Sequence, residues 1–151
     1  MSSHAFSHPP HLAADKLAFL EGFYRTSDQP EAIDAYLAFL DPQVDFVMGL
    51  NAVRGHAAVR KIRENMWGGV QTREHRPAAV FSAGPGDREL MLHGTVTYGL
   101  RNGTRVESVG WAALVVFAEG SDLKMERYQV WLDGTPLSKA LAEQAAQDQA
   151  Q

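Results

Sequence analysis

The sequence predicts an α+β domain in which a curved antiparallel sheet is covered by three N-terminal helices. Three observations lead to this fold class. Apolar residues recur at three- and four-residue spacing early in the chain, which is typical of amphipathic helices. Later segments read as strands, several of them alternating apolar and polar residues. A long hairpin pattern centred on Asn102 and Gly103 indicates that neighbouring strands run antiparallel.

The composition is that of an ordinary single domain. The chain has 151 residues, of which 45% are hydrophobic and 21% are charged, enough to form one core. The net charge of -4 gives no reason to expect nucleic acid or an anionic membrane as a partner. The absence of cysteine excludes a disulfide framework and a thiol nucleophile. Since no signal peptide or membrane-spanning stretch is recognisable, we expect a cytoplasmic protein.

The predicted domain covers residues 11–137. Residues 1–10 are polar and end in two prolines, so we expect a flexible N-terminal tail, with histidines too irregularly spaced for a metal site. Residues 138–151 are rich in alanine and glutamine, and they are expected to form a C-terminal tail that is either helical or disordered.

The predicted elements follow one another in order. The first helix covers residues 11–24, and Asp28 can cap the start of a second helix. A short strand at 44–48 turns back at once, and a third helix covers 55–67 before two glycines. The remaining strands of the sheet are predicted at 73–81, 90–100, 105–117 and 123–132.

The hairpin pattern sorts its side chains into two faces. Because Asn-Gly favours a two-residue type I′ turn, we predict that Tyr98 lies opposite Glu107 and that Gly94 lies opposite Trp111. The face predicted to be buried carries Leu92, Val96, Tyr98, Glu107, Val109, Trp111, Ala113, Val115 and Phe117. The face predicted to point outwards carries Met91, His93, Thr95, Thr97, Ser108, Gly110, Ala112, Leu114 and Val116. A shift of one residue would exchange the two faces.

Five short motifs resemble a known superfamily in their order and spacing. They are DPQVDFVMG at 41–49, VRGHAAVRKI at 53–62, REH at 73–75, WAALVVFAEG at 111–120 and YQVWLDGTPL at 128–137. Over residues 12–137 the chain resembles the nuclear transport factor 2-like (NTF2-like), SnoaL-like superfamily of cone-shaped α+β domains. The resemblance implies a conical pocket and a homodimer formed through the outer sheet face. It also implies a range of activities, among them isomerases, cyclases, dehydratases, epoxide hydrolases and binding modules, so that the fold alone does not settle the function.

The resemblance differs among the branches of the superfamily. In the epoxide hydrolase and cyclase branches a catalytic aspartate stands on the last strand, where this sequence has Val130, which cannot exchange a proton. The dehydratase branch is more similar, because it has a histidine early in the third strand, where His75 stands. That branch also has aromatic and acidic residues at the end of the first helix, where Tyr24 and Asp28 stand.

The predicted catalytic residues are Glu107, His75 and Tyr98. A carboxylate buried on an apolar face holds its proton more tightly, as a general acid or base at neutral pH requires. Histidine exchanges protons in the neutral range, and a tyrosine hydroxyl can donate a hydrogen bond to a developing oxyanion. The residues predicted to bind the substrate are Tyr24, Asp28, Trp67, Val96, Val109, Trp111, Phe117, Tyr128 and Val130.

Each candidate also has a purely structural interpretation. Glu107 lies near the hairpin turn, where it can be solvated or paired with Arg105 or Arg101. His75 lies in a polar run and can be a surface histidine. The tyrosines and tryptophans can be aromatic residues of the core rather than ligand contacts.

The sequence favours a cofactor-independent enzyme of the isomerase, dehydratase or cyclase type that acts on a hydrophobic metabolite by acid-base chemistry. No metal or cofactor is expected, because no motif has the spacing of a zinc site, a phosphate-binding loop or a nucleophile elbow. The alternative is a non-catalytic module for ligand binding or dimerisation. An open cavity reached by Glu107 or His75 would favour the enzyme. A cavity filled by aromatic side chains, namely Trp67, Trp111, Phe117 and Tyr128, would favour the module.

Overall fold

The computed structural model describes residues 6–120 and 122–150, so the predicted tail at residues 1–5 lies outside the described part. The helices are α1 (Ala14–Ser27), α2 (Ile33–Leu37), α3 (His56–Asn65) and α4 (Thr135–Gln149), and a 3-10 turn lies at Pro85–Asp87. The strands are β1 (Leu40–Met48), β2 (Asn51–Arg54), β3 (Val70–Ala83), β4 (Glu89–Leu100), β5 (Arg105–Phe117) and β6 (Met125–Leu132). The predicted α+β class is confirmed. Within the described residues, no helix combines the length and the apolar character that a membrane span needs.

The six strands form one curved sheet in the order β2-β1-β6-β5-β4-β3. Each neighbouring pair is antiparallel except β1 and β6, which run parallel. The prediction of an antiparallel sheet is therefore correct for every other neighbouring pair and wrong for this one. No short turn joins β1 to β6, so local sequence signals could not set their relative direction.

The core lies between the helices and one face of this sheet. Helix α1 buries Leu17, Leu20, Phe23 and Tyr24 at the three- and four-residue spacing that predicted it. The ring of Phe23 lies 5.1 Å from the ring of Tyr128 on β6, so the apolar face of α1 rests on the sheet. The N-terminal helices therefore cover the sheet as predicted.

The two faces of the β4–β5 hairpin are those predicted, except near its turn. Gly94 pairs with Trp111 and Val96 pairs with Val109. Side chains alternate between buried and less buried along both strands beyond this point. The aromatic and apolar face therefore points into the core, and the face rich in small and hydroxyl side chains points outwards.

The turn end of the hairpin differs from the prediction by one residue. The loop contains three residues, 101–103, closed by a backbone hydrogen bond of 2.8 Å between its flanking residues. Tyr98 therefore lies opposite Val106 rather than Glu107. A bulge beside Ser108, whose φ is +55°, restores the predicted register. Between the loop and the bulge the two faces of β5 are exchanged, so Val106 points inwards and Glu107 points outwards.

The predicted C-terminal tail is a docked helix. Gln144 of α4 is buried, and its Oε1 accepts a 2.9 Å hydrogen bond from the backbone N–H of Asn102 in the hairpin loop. Its Nε2 donates a 3.0 Å hydrogen bond to the carbonyl oxygen of Gly69. A side chain at Gly69 would lie 2.5 Å from Leu141, so the glycine allows α4 to approach closely. Helix α4 thus ties the hairpin loop to the segment that follows α3.

The predicted flexible tail is wrong for Phe6 and Ser7. Phe6 is buried with 5% of its surface exposed, and Ser7 forms a β-bridge with Ala79. The physical reason is that β3 is an edge strand whose free backbone groups can take up a further segment.

Candidate active site

Asp28 and His75 form a hydrogen-bonded pair where the end of α1 meets β3. The His75 Nδ1 lies 2.6 Å from Asp28 Oδ1, and the His75 backbone N–H donates to both carboxylate oxygens at 3.0 and 3.2 Å. An ionised carboxylate can only accept, so Nδ1 carries a proton, and in the neutral imidazole Nε2 then has the free lone pair. The two side chains are 22% and 21% exposed, which leaves them within reach of solvent. This is the arrangement of a general base held in position by an acid.

Asp28 reaches His75 because it ends α1 instead of starting the next helix. The predicted cap of a second helix is wrong, since Asp28 is the C-terminal cap of α1, and α2 begins at Ile33. Tyr24 lies one helical turn before Asp28, and residues four apart share one face of a helix. The same face of α1 therefore presents a phenol and a carboxylate to the sheet.

Tyr24 joins the pair to an aromatic cluster. Its ring stacks on Trp111 at 4.9 Å and lies 5.6 Å from the ring of His75. Its hydroxyl lies 3.2 Å from that of Tyr128. Burial raises the pKa of both tyrosines, so both hydroxyls keep their protons in the neutral range and remain hydrogen-bond donors. The Trp111 Nε1 is buried without a hydrogen-bond partner among the described residues.

Tyr98 points inwards as predicted, but its neighbour is a cation. Arg73 pairs with Tyr98 across β3 and β4, and its guanidinium carbon lies 5.5 Å from the Tyr98 ring and 4.8 Å from the Trp67 ring. Burial raises the pKa of Tyr98, and the charge of Arg73 opposes this shift. The sequence analysis missed Arg73, although its alternation with His75 along one strand placed both on the same face.

Arg63 is a second buried cation that the sequence analysis did not assign to the site. It is 2% exposed, and its guanidinium donates hydrogen bonds to the carbonyl oxygens of Ser27 at 3.1 Å and Gln29 at 3.3 Å. These two residues flank Asp28, so Arg63 holds the backbone that carries the carboxylate. The signal was an arginine in the apolar stripe of α3, beside Val59.

The predicted inward position of Glu107 is wrong. Its side chain is 65% exposed, and its Oε1 accepts a 3.0 Å hydrogen bond from Arg105. The reason is the three-residue loop, which rotates this stretch of β5 until the bulge restores the register. Glu107 is instead a solvated carboxylate paired with Arg105, which was the structural interpretation of this residue. It is not part of the site.

No protein-family model matches the sequence, and no curated protein is similar enough to count as a relative. Solved structures match its fold. An NTF2-like protein of unknown function from Burkholderia pseudomallei superposes with a TM-score of 0.70 at 13% identity, covering 84% of this chain and 97% of that one. TerC, crystallised with polyporic acid, gives a TM-score of 0.71 at 14% identity, covering 85% and 99%. A candidate SnoaL-like polyketide cyclase from Jannaschia sp. CCS1 gives 0.69 at 14% identity, covering 88% and 95%.

The chain has the NTF2-like cone fold. The fold that the sequence motifs implied is thereby confirmed. Identities this low establish a shared architecture and leave the activity open.

Aromatic side chains fill much of the interior of this NTF2-like domain. Trp111, Phe117 and Tyr128 are each less than 5% exposed, and Trp67 is half-buried against the core. Val96 and Val109 are also buried, whereas Val130 is half-buried. Of these residues, Tyr24 and Trp111 lie beside the ring of His75 and Val96 pairs with His75 across the sheet, whereas Phe117 packs on Phe19 away from the pair.

Two cavities of the NTF2-like domain lie away from this pair. One of about 400 Å³ lies between β1, β2 and α3 and is lined by Met48, Asn51, Val53, Lys61, Ile62, Asn65 and Met66. Another of about 380 Å³ lies along β1 and β2. None of the predicted site residues lines either cavity. Within the described residues, no cluster of three or more histidine, aspartate or glutamate side chains is arranged to hold a metal ion.

Proposed function

We propose that this NTF2-like domain is a cofactor-independent enzyme of the dehydratase, isomerase or cyclase type that acts on a hydrophobic metabolite. The observation that carries the proposal is the 2.6 Å contact between Asp28 and His75 at the junction of α1 and β3. A carboxylate bound to one nitrogen of a histidine leaves the other nitrogen free to exchange protons. The aromatic side chains beside the pair pack against one another and neither cavity reaches it, so a small molecule would bind at the solvent-facing side of His75.

In the proposed mechanism His75 acts first as the general base. Its Nε2 takes a proton from a carbon next to a carbonyl group of the substrate, and Asp28 stabilises the imidazolium that forms. The electron pair left on that carbon is delocalised onto the carbonyl oxygen. The hydroxyl of Tyr24 or Tyr128, or the unpartnered Trp111 Nε1, donates a hydrogen bond to this oxygen. The imidazolium then returns the proton to another carbon or to a leaving hydroxyl group.

Elimination of water has the best support among the three reaction types. The motifs resemble those of the dehydratase branch at Tyr24, Asp28 and His75, and these three residues meet in space. The position of the catalytic aspartate in the cyclase and epoxide hydrolase branches is taken by Val130, which carries no exchangeable proton.

The proposal is tested by incubating the protein with a panel of hydroxylated bicyclic ketones and following the loss of water by mass spectrometry. We expect turnover of at least one compound. His75→Ala should lower the rate by about a hundredfold or more, the typical contribution of a general base. Asp28→Asn should lower it by roughly tenfold to a hundredfold, because the imidazole loses its orienting acceptor.

The matched control is His93→Ala. His93 lies on β4 with an exposed side chain on the outer face of the sheet, so its removal should leave the rate unchanged. Equal rates in the wild type, His75→Ala and Asp28→Asn would remove the pair from the mechanism.

A non-catalytic module for ligand binding or dimerisation is the second candidate. The observation that favours it is the packing of Trp111, Phe117 and Tyr128 inside the cone, where the chain's own side chains take the space that a ligand would need. If the module is correct, no compound of the panel loses water, and the Asp28 and His75 pair only joins α1 to β3. Unfolding measurements would then show Asp28→Asn as less stable, with no activity to lose.

A further inference from the structure

We propose that Arg73 forms an anion-binding subsite beside the pair of Asp28 and His75, and that its ligand carries a carboxylate or an ionised enol. The statement that this ligand is the substrate rests on the proposed function. The statement that an anion binds here does not. The subsite is formed by three half-buried side chains, Trp67, Arg73 and His75.

The geometry places Arg73 next to the proposed base. Arg73 and His75 are two residues apart on β3, and they pair with the inward-facing Tyr98 and Val96 of β4. Alternate residues of a strand share one face and are separated by roughly 7 Å. A small planar molecule can therefore bind the guanidinium at one end and present a carbon to His75 at the other.

The guanidinium of Arg73 has unused hydrogen-bonding capacity. One of its terminal nitrogens donates to the carbonyl oxygen of Met66, while its buried Nε has no partner among the described residues. The guanidinium lies over the rings of Trp67 and Tyr98 and its Nε is shut off from solvent, which leaves the terminal nitrogens as the edge that can bind a ligand. An edge with parallel N–H groups matches the two oxygens of a carboxylate.

The charges around Arg73 do not balance. Burial lowers the pKa of Arg73 to about 10, so the group stays cationic at neutral pH. Arg63 lies near enough to repel it, and Asp28 is the carboxylate whose charge acts on both. Within the described part of the chain neither arginine forms a salt bridge, and Asp28 is engaged by His75.

An unpaired charge is costly inside a protein, and an anionic ligand would offset this cost. Arg63 donates hydrogen bonds to two backbone carbonyl oxygens, whereas Arg73 donates to one. Arg73 is therefore the cation that can bind a ligand. Binding at Arg73 would also hold the negative group of the substrate away from the carboxylate of Asp28. Only a molecule bound in this orientation brings its reacting carbon to His75.

The test compares two probes of the same shape, 2-naphthoate and its neutral amide 2-naphthamide, by isothermal titration calorimetry. We expect the wild type to bind the carboxylate about tenfold more tightly than the amide, as for a charge-assisted pair of hydrogen bonds. Arg73→Gln should remove this preference while leaving the affinity for the amide within about twofold. The indole N–H signals in NMR spectra give a second readout, in which Trp67 should shift and the exposed Trp131 should not.

The matched control is Arg76→Gln. Arg76 lies on the same strand but is exposed and paired with Glu74, so the preference for the carboxylate should persist. Arg73→Lys keeps the charge without the planar edge and should reduce the preference by about threefold. If Arg73→Gln does not fold, Arg73→Lys is the variant that tests the subsite. Equal wild-type affinity for the two probes, failure of both to bind at millimolar concentration, a preference that survives in Arg73→Gln, or an undiminished preference in Arg73→Lys would overturn the inference.

His75→Ala separates this inference from the proposed function. If Arg73 holds the anion, His75→Ala keeps the preference for naphthoate, whatever happens to turnover. If the preference is lost in His75→Ala and kept in Arg73→Gln, the imidazole holds the anion and the Arg73 subsite is wrong. A lack of turnover with any ketone counts against the enzyme and leaves the binding result standing.

Discussion

Asp28 occupies a position that the electrostatics of a helix disfavour. It caps the carboxyl end of α1, where the aligned backbone dipoles place partial negative charge. Arg63 offsets this by donating to the carbonyl oxygens of Ser27 and Gln29 on either side, and His75 donates to the carboxylate itself. A cap for α1 would be served better by an uncharged residue, so the position of Asp28 agrees with the role that we propose for it beside His75.

At this scale we predict that Arg63→Ala destabilises the protein strongly. Arg63 is 2% exposed, and its guanidinium carbon lies 4.3 Å from the Tyr36 ring centroid. Its loss leaves a cavity and two carbonyl oxygens without their donor, so urea unfolding should show a loss of about 2–4 kcal/mol. Arg60→Ala on the same helix is the control, since its pair with Asp34 is exposed and screened by solvent and should contribute little to stability. Similar losses in the two variants would show that burial of Arg63 carries no special weight.

The prediction for the β4–β5 hairpin is correct for its buried and exposed faces and wrong next to its turn. Its loop is held by α4, because Asn102 donates its backbone N–H to Gln144 and its side-chain Nδ2 to Gln147, each at 2.9 Å. Only Gly103 adopts a positive φ, of +88°, in the loop, which gives a three-residue turn instead of the predicted type I′ turn. The bulge at Ser108 then returns the remainder of β5 to the expected register. Helix α4 thus contacts the loop whose length sets the orientation of Glu107.

For this element we predict that Gly103→Ala lowers the free energy of unfolding by about 1 kcal/mol, because an L-residue in the left-handed region is strained. Gly110→Ala is the matched control. Neither added Cβ would meet another atom within 4 Å, and Gly110 has no positive φ. Thermal and urea unfolding should therefore show Gly110→Ala as neutral or slightly more stable. Equal destabilisation by both changes would contradict the backbone argument.

At the scale of the whole molecule, the outer face of the sheet carries large apolar side chains that are exposed within the described residues. Phe81, Met91 and Trp131 are 57%, 38% and 46% exposed, and Phe81 stacks on His93 at 6.0 Å. Exposed apolar side chains gathered on one face are typical of a protein interface. The resemblance to the superfamily implies a homodimer through this face, and that partner remains our proposal.

We predict that sedimentation at micromolar concentration finds the wild type as a dimer and Leu114→Glu as a monomer with an unchanged circular dichroism spectrum. Leu114 is half-buried on the outer face of β5, so a carboxylate there would have to be desolvated in a dimer. Leu50→Glu is the control, because Leu50 is fully exposed on the turn between β1 and β2. A monomeric wild type, or a dimeric Leu114→Glu, would be incompatible with this interface.

The sequence by itself determined the α+β class, the order of its elements and the buried face of the long hairpin. Burial can be read from the spacing of Phe23 and Tyr24 on α1 and from the alternation that starts at Val109 on β5. The period of the helix or strand decides which side chains point into the core. The parallel pairing of β1 with β6 and the docking of α4 depend on segments far apart in the chain, and no local period carries that information.

Only the tertiary structure decided which carboxylate meets His75. Asp28 and His75 are 47 residues apart in the chain, and their contact depends on how α1 crosses β3. Glu107, four residues after Gly103, was placed by counting from the turn, and a loop longer by one residue reversed its side. Neighbouring side chains of a strand point to opposite faces, so a register error of one residue places each affected side chain on the wrong face.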